Sequence, residues 1–248
     1  MAGGVLRHGC SRPASRPRRG SPGRAGQGEG AGPVSAQNSA AAHAAALRAG
    51  ARGGPWRRLL ALLGLGGARV RRADAEAARW AHGAAGEETT ARLLAPLETA
   101  GWHVRHDLRL QGRRFNIDTA LVPPCGTVVV VLDTKNWRRG YPTTLDRGRV
   151  HCGTQDRHDQ VVKVAGYAQA VGAVLPGVMV VPLLVVHGSQ VAGGGFEAPV
   201  PGGTVWVLGT DLLVPRLAGA VRNPRDRQRA AQLAGRVDSV LRPYTERS

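Results

Sequence analysis

Lysine is almost absent from this chain: of its 34 basic residues only Lys135 and Lys163 are lysine, and all the others are arginine. Cysteine is scarce too. Cys10, Cys125 and Cys152 form no CxxC pair and leave an odd number, which indicates neither a disulfide framework nor a zinc finger. A reducing, cytoplasmic setting is the expectation that follows. His151, Cys152 and His158 lie close in sequence but read as surface or packing chemistry rather than as a metal set. Aromatic residues make up 4% of the chain, too few for an evident base-stacking platform. No GxxxxGK[ST] loop, no GxGxxG after a strand and no GxSxG elbow occurs, so the usual signs of a phosphate-binding loop, a dinucleotide fold and a serine hydrolase are missing. No apolar run reaches membrane-spanning length: Leu59 to Leu65 is too short, and the run near Val178 to Val186 is interrupted by Pro182. No apolar segment with a cleavage site marks a signal peptide.

What is present is enough for a core: 42% of the 248 residues are hydrophobic. The formal net charge of +17 is unevenly placed. Residues 1 to 72 hold 13 Arg against one acid, Glu29, leaving 21 basic and 16 acidic residues for the rest. The basic excess therefore belongs mostly to a leader. Residues 1–55 are Gly, Ala, Ser, Pro and Arg with hardly any large apolar side chain, and such a segment cannot bury enough surface to offset its ordering entropy. A disordered basic tail is expected there. Residues 56–72, "WRRLLALLGLGGARVRR", read as a basic-apolar linker or short helix packing on the domain, in preference to an amphipathic turn lying on a membrane. The domain is expected over 73–248.

Within that domain "ADAEAARWAHGAAGEETTARLLAPLETAGW" has helical spacing and predicts one long helix, or two abutting at Gly83 to Gly86, ended by Gly101. Three strand candidates follow, "WHVRHDLRL", "FNIDTALV" and "TVVVVLDTK", the last two joined by the turn "PPCG". Then come a small hairpin tipped by "DRG", an amphipathic helix through "DQVVKVAGYAQAVGAV", two buried strands, and two C-terminal helices over "DLLVPRLAG" and "NPRDRQRAAQLAGRVDSVLRPY". "GGGFEAPVPGG" reads as a loop. The order predicts an α/β domain with a mixed sheet covered by helices on both faces.

Chemistry concentrates at the end of the valine-rich strand. Residues two apart on a strand share a face, so Asp133 and Lys135 point the same way. In an antiparallel hairpin Asp118 near the start of one strand falls at the same end as Asp133 near the end of its partner. Two carboxylates with nearby carbonyls and waters suit an octahedral oxygen site for Mg²⁺ or Mn²⁺. A lysine beside it can orient or deprotonate a water and neutralise charge developing on a phosphoryl oxygen. A lysine kept in a chain that otherwise uses arginine suits proton handling, since burial can lower its pKa where arginine stays charged.

In order, "GAAGEETTARLL", "FNIDTALV", "VVVLDTKNWRRG" and "DRHDQVVKVAGYAQAV" resemble the four blocks of the nuclease-related domain (NERD), a branch of the PD-(D/E)xK nuclease superfamily, over roughly residues 80 to 190. The resemblance implies a restriction-endonuclease-like α-β-β-β-α-β core and a metal-dependent nuclease acting on DNA, with RNA as the lesser expectation. It implies Glu87 as the helix acid that helps hold the metal shell, with Glu88 as its competitor because one helical position turns a side chain by about 100°. Asp118 resembles the first metal ligand, Asp133 the second acid, Thr134 a carbonyl donor, Lys135 the catalytic lysine, and Gln160 the glutamine that opens the next helix near the site. Asn136 and Trp137 match the family signature, Trp137 with a core or capping role as the other reading. Arg113, Arg114, Arg138, Arg139 and Arg147 are the candidate phosphate contacts. The rival reading keeps those arginines but makes the acids vestigial, giving a catalytically silent nucleic-acid-binding module of the same fold.

Overall fold

The computed structural model of the chain describes residues 68–244. The tail over 1–55 and most of the linker over 56–72 lie outside the described residues. Helix α1 (Ala68–Thr99) takes in the last residues of that linker and continues unbroken through Gly83 and Gly86. It ends where the sequence indicates. Gly101 adopts φ 88°, its N–H bonds the Glu98 carbonyl at 2.9 Å, and the Trp102 N–H bonds the Leu97 carbonyl at 3.0 Å, a pair of bonds that closes the last turn on a left-handed glycine. Trp102 and Leu97 then pack in the same cluster, which fixes the exit direction of the chain.

The strands β1 (His103–Leu110), β2 (Asn116–Val122) and β3 (Val128–Asn136) form an antiparallel meander. Gly126 makes the β2–β3 turn possible at φ 60°, and a Cβ there would run into the backbone at Arg229 and Ala230. A three-stranded appendage follows, β4 (Thr143–Asp146), β5 (Arg149–Cys152) and β6 (Gln155–Asp156), with the expected tip at Arg147-Gly148. Helix α2 (His158–Val174) then crosses over to β7 (Met179–His187), which runs parallel to β3 along its whole length. These elements give the α-β-β-β-α-β core. Beyond it lie β8 (Gly195–Val200), β9 (Gly203–Gly209), α3 (Thr210–Ala220), α4 (Arg227–Val240) and β10 (Leu241–Pro243). The seven-stranded mixed sheet has the order β10-β1-β2-β3-β7-β9-β8.

Two segments differ from the sequence expectation. The stretch assigned to a loop contains β8, whose Ala198 is fully buried and whose register sets Glu197 opposite Trp206. It is an edge strand, where Pro199 and a glycine-rich approach are tolerated because one side of the backbone needs no partner. The last helix stops at Val240, and Leu241 pairs with Leu110 in β10 instead of extending the helix. Leu241 is buried in either geometry by its position in the apolar pattern, so periodicity alone cannot tell them apart. Pro182, which interrupts the apolar run, sits in β7 opposite Val131, one residue before β9 joins at Leu183; at that level β7 has β3 alone as neighbour and one backbone side is open.

The pleat divides the core. Val129 and Val131 pack with Ala168 and Val171 of α2 and Leu233 and Val237 of α4. Val130 and Leu132 face the other side, against Leu94 and Leu97 of α1 and Leu213 and Leu217 of α3. Each face therefore has its own helical cover, and β3, buried on both, can be a run of valines. Among the described residues no helix is long and apolar enough to cross a membrane.

Candidate active site

The β2–β3 ladder pairs Thr119 with Leu132 and stops there, one step before Asp118 and Asp133 would come opposite each other. At that point the Thr134 N–H donates to Asp118 Oδ2 at 2.7 Å, a side-chain acceptor in place of a ladder carbonyl. Alternation carries Asp133 and Lys135 onto the α2 face with Val129 and Val131, while Thr134 continues the α1 face. The Lys135 ammonium forms an ion pair with Asp133 Oδ2 and donates to the Thr134 carbonyl at 3.1 Å. Asp118, Asp133 and Lys135 are thus brought together through the two sides of one peptide segment.

Helix α1 reaches this strand end because of a glycine. A Cβ on Gly86 would meet Thr134 Cγ2 at 3.3 Å and Asn136 Cβ at 3.5 Å, so only glycine allows the helix this close without displacement. One turn later Thr90 accepts a hydrogen bond from Thr134 Oγ1 at 3.1 Å. With Gly86 and Thr90 against the strand, Glu87 is half-buried and within the electrostatic reach of Asp133 and Lys135, whereas Glu88 is exposed. The choice between the two acids is therefore set by how α1 is rotated on β3.

The acids repel one another in a poorly solvated place. Burial pushes the Asp118 carboxyl well above the usual carboxylate range, and the charges of Asp133 and Glu87 push the same way, against Lys135 and the Thr134 N–H. Burial also raises Asp133, and Lys135 offsets this only in part. Glu87 is raised by burial and then by Asp107. For Lys135 burial alone would lower the pKa, but Asp133 and Asp118 outweigh it and hold the side chain as an ammonium above its ordinary value. The carboxylates that define the site thus hold its lysine charged, against the lowering that burial alone would bring.

Residues 82–187 match the family model of the nuclease-related domain. That segment is similar to a nuclease-related domain. No curated protein and no solved structure matches the chain. The NERD segment contains every acid just described together with Lys135 and Gln160, and it ends on His187 at the end of β7.

Gln160 has a defined partner in the NERD segment: its Oε1 accepts the Trp137 indole N–H at 3.0 Å. It binds the strand after Lys135 rather than an acid, and Trp137 is a core residue packed with Val161 and Val164. Three residues escape a reading of the sequence. Lys163 acts electrostatically on Asp133, and Tyr167, stacked on Phe115 at 4.7 Å, is raised by burial and by the charge of Asp133. Both follow Gln160 at helical spacing, which is the signal that could have found them. Asp107 is the third. The β1–β2 register places it across from Asp118, and it adopts φ 51°, an uncommon backbone for a non-glycine residue.

Arg113 and Arg114 lie exposed between β1 and β2, Arg138 and Arg139 just after β3, and Arg147 at the β4–β5 tip. Arg138 stacks over Tyr141 at 4.7 Å. Among the described residues no group of three or more His, Cys, Asp or Glu makes a ready metal cage, and His151, Cys152 and His158 form none. The donor set compatible with a hard divalent cation is Asp118, Asp133 and the Thr134 carbonyl, with Glu87 behind them. It fits a cation on one observation: the Lys135 ammonium already rests on Asp133 Oδ2 and the Thr134 carbonyl, as a positive charge would.

Proposed function

We propose that the domain is a Mg²⁺- or Mn²⁺-dependent phosphodiester hydrolase acting on DNA, with RNA as the alternative substrate. The observation that carries this reading is the junction at Thr134, whose N–H holds Asp118 and whose carbonyl shares the Lys135 ammonium with Asp133. In this reading Asp118, Asp133 and the Thr134 carbonyl hold the cation, and Glu87 adds negative charge behind them. The cation supplies Lewis acidity at a phosphoryl oxygen and a more acidic water. Lys135, kept as an ammonium, neutralises charge that develops on the phosphoryl group. Gln160 keeps Trp137 and the strand after Lys135 in place. Exposed Arg113, Arg114, Arg138, Arg139 and Arg147 contact phosphates, which sets the position of the strand without reading its sequence.

The same exposed arginines favour a second reading, a binding module without turnover, because they serve that role whether or not the acids are active. The full chain incubated with supercoiled plasmid and with single-stranded DNA and RNA, in Mg²⁺, Mn²⁺ or EDTA, separates the two. Metal-dependent cleavage supports the hydrolase. Binding of nucleic acid with no cleavage in either metal supports the silent module.

A further inference from the structure

Behind the acids runs a buried chain of three polar side chains that the hydrolytic reading does not use. Thr134 Oγ1 donates to Thr90 Oγ1 at 3.1 Å, and Thr90 Oγ1 lies 2.8 Å from His187 Nε2. The three residues are 7%, 1% and 8% exposed and come from β3, α1 and β7. Polar groups this deep persist only when hydrogen-bonded, and apolar residues of similar size would fill the same space. Thr90 accepts from Thr134 and so has its own hydroxyl proton available for His187 Nε2; the role of that nitrogen depends on the ring tautomer, and it accepts when the ring proton sits on Nδ1. Burial lowers the pKa of His187 and so favours this neutral ring.

The chain ends on the residue whose peptide groups organise the acids. Thr134 holds Asp118 by its N–H at 2.7 Å and Lys135 by its carbonyl at 3.1 Å. Its methyl group packs where the missing Cβ of Gly86 leaves room, so Oγ1 is the atom that fixes the side-chain rotamer against α1. β3 lies against β7 in register here, with Asn136 beside His187, and the Trp137 N–H donates to the His187 carbonyl at 2.9 Å. His187 is therefore tied to β3 by backbone as well as through Thr90.

We propose that Thr90 and His187 are positioning residues of the site, a hydroxyl–imidazole relay that locks Thr134 from the face opposite the acids and thereby sets the spacing of Asp118, Asp133 and the Thr134 carbonyl. The proposal rests on the hydrolytic reading for its consequence but not for its geometry. Partners behind a metal's ligands commonly change metal affinity by 10–100-fold when removed.

The test uses the full chain with Thr90→Val, which keeps the shape and removes the relay, Thr90→Ser, which keeps the hydroxyl, and His187→Gln, which keeps an acceptor. Two quantities are read: hydrogen-exchange protection of the Thr134 amide relative to the Leu132 amide in EDTA, and Mn²⁺ affinity by calorimetry. The expected result is a selective loss of protection at Thr134 of about tenfold or more in Thr90→Val, with Mn²⁺ affinity falling on the order of tenfold. Thr90→Ser and His187→Gln should restore both. Nitrogen-15 spectra should show the His187 Nδ1–H tautomer in the native chain. Unchanged Thr134 protection in Thr90→Val, or a uniform loss across β3 with unchanged Mn²⁺ affinity, overturns the proposal and leaves a merely structural pair. If the native chain neither binds Mn²⁺ nor cleaves, the hydrolytic reading fails while the Thr134 amide still decides whether the relay positions it.

Discussion

The Thr134 N–H holds Asp118 Oδ2 at 2.7 Å, so the carboxylate of one strand is fixed by the peptide of the next, just where the ladder between them ends. A charge-assisted bond of this kind is about twice as strong as a neutral one. It also explains why Asp118 stays beside Asp133 although the charge of Asp133 raises its pKa: geometry is imposed by the sheet, and the electrostatic cost remains until a cation offsets it.

Neutralising either acid should therefore separate stability from activity. Asp118→Asn is expected to raise the melting temperature in EDTA, because it removes a buried charge, and to reduce cleavage roughly 100-fold or more, the size of losing one preorganised charge contact. Thermal melts and initial rates on plasmid DNA check both. A lower melting temperature together with full activity would contradict the assignment.

The pH dependence has a definite sign. Asp118, Asp133 and Glu87 all have folded-state pKa values above their ordinary ones. As pH rises past the ordinary carboxylate value the unfolded chain ionises first, the folded chain binds more protons, and stability falls until the raised values are passed. In EDTA the native chain should lose stability relative to Asp118→Asn as pH rises above the ordinary carboxylate value of about 4. Stabilisation by Mg²⁺ should increase over the same range. Melts in both conditions measure it.

Two glycines three residues apart in α1 give a matched pair. Gly83 has nothing within 4 Å of an added Cβ, whereas at Gly86 the added atom meets Thr134 and Asn136. Gly83→Ala should stabilise by up to about 1 kcal/mol through helix propensity. Gly86→Ala should cost about 1–3 kcal/mol by overpacking and should lower activity by lifting Glu87 and Thr90 off β3. Denaturant titration and cleavage rates distinguish the two positions.

Gln160→Ala removes the acceptor for the Trp137 indole N–H, and leaving such a group unpaired costs about 1–3 kcal/mol. Gln160→Glu should restore most of the stability. A double-mutant cycle with Trp137→Phe should show a coupling that neither single change accounts for.

Changing one exposed arginine, Arg113, Arg114, Arg138, Arg139 or Arg147, to glutamine should weaken nucleic-acid binding equally across sequences and reduce the salt slope by about one. Mn²⁺ affinity should stay unchanged. Binding isotherms at several salt concentrations test this.

How far the sequence goes depends on the range of the interactions involved. The convergence of Asp118 with Asp133 and Lys135 follows from strand alternation and a short hairpin, both local. The core order of helix, three strands, helix and strand was legible for the same reason. Glu87 could not be separated from Glu88, because the rotation of α1 depends on a contact between Gly86 and Thr134 far along the chain. The charged state of Lys135 depends on carboxylates that the sheet collects around it, which a reading of burial alone does not include. β8 and β10 are edge strands defined by the partners they join, and nothing in "GFEAPV" or "LRP" taken alone marks them. Asp107 becomes visible only once the β1–β2 register is fixed.

The most direct measurement is cleavage of plasmid DNA by the full chain and by its Asp133→Asn and Lys135→Met variants, each in Mg²⁺, Mn²⁺ and EDTA, with Mn²⁺ binding recorded on the same samples. The account predicts cleavage by the native chain only when metal is present, none above background in either variant, and weaker Mn²⁺ binding in Asp133→Asn. Cleavage that persists in EDTA, or that survives in both variants, would contradict it.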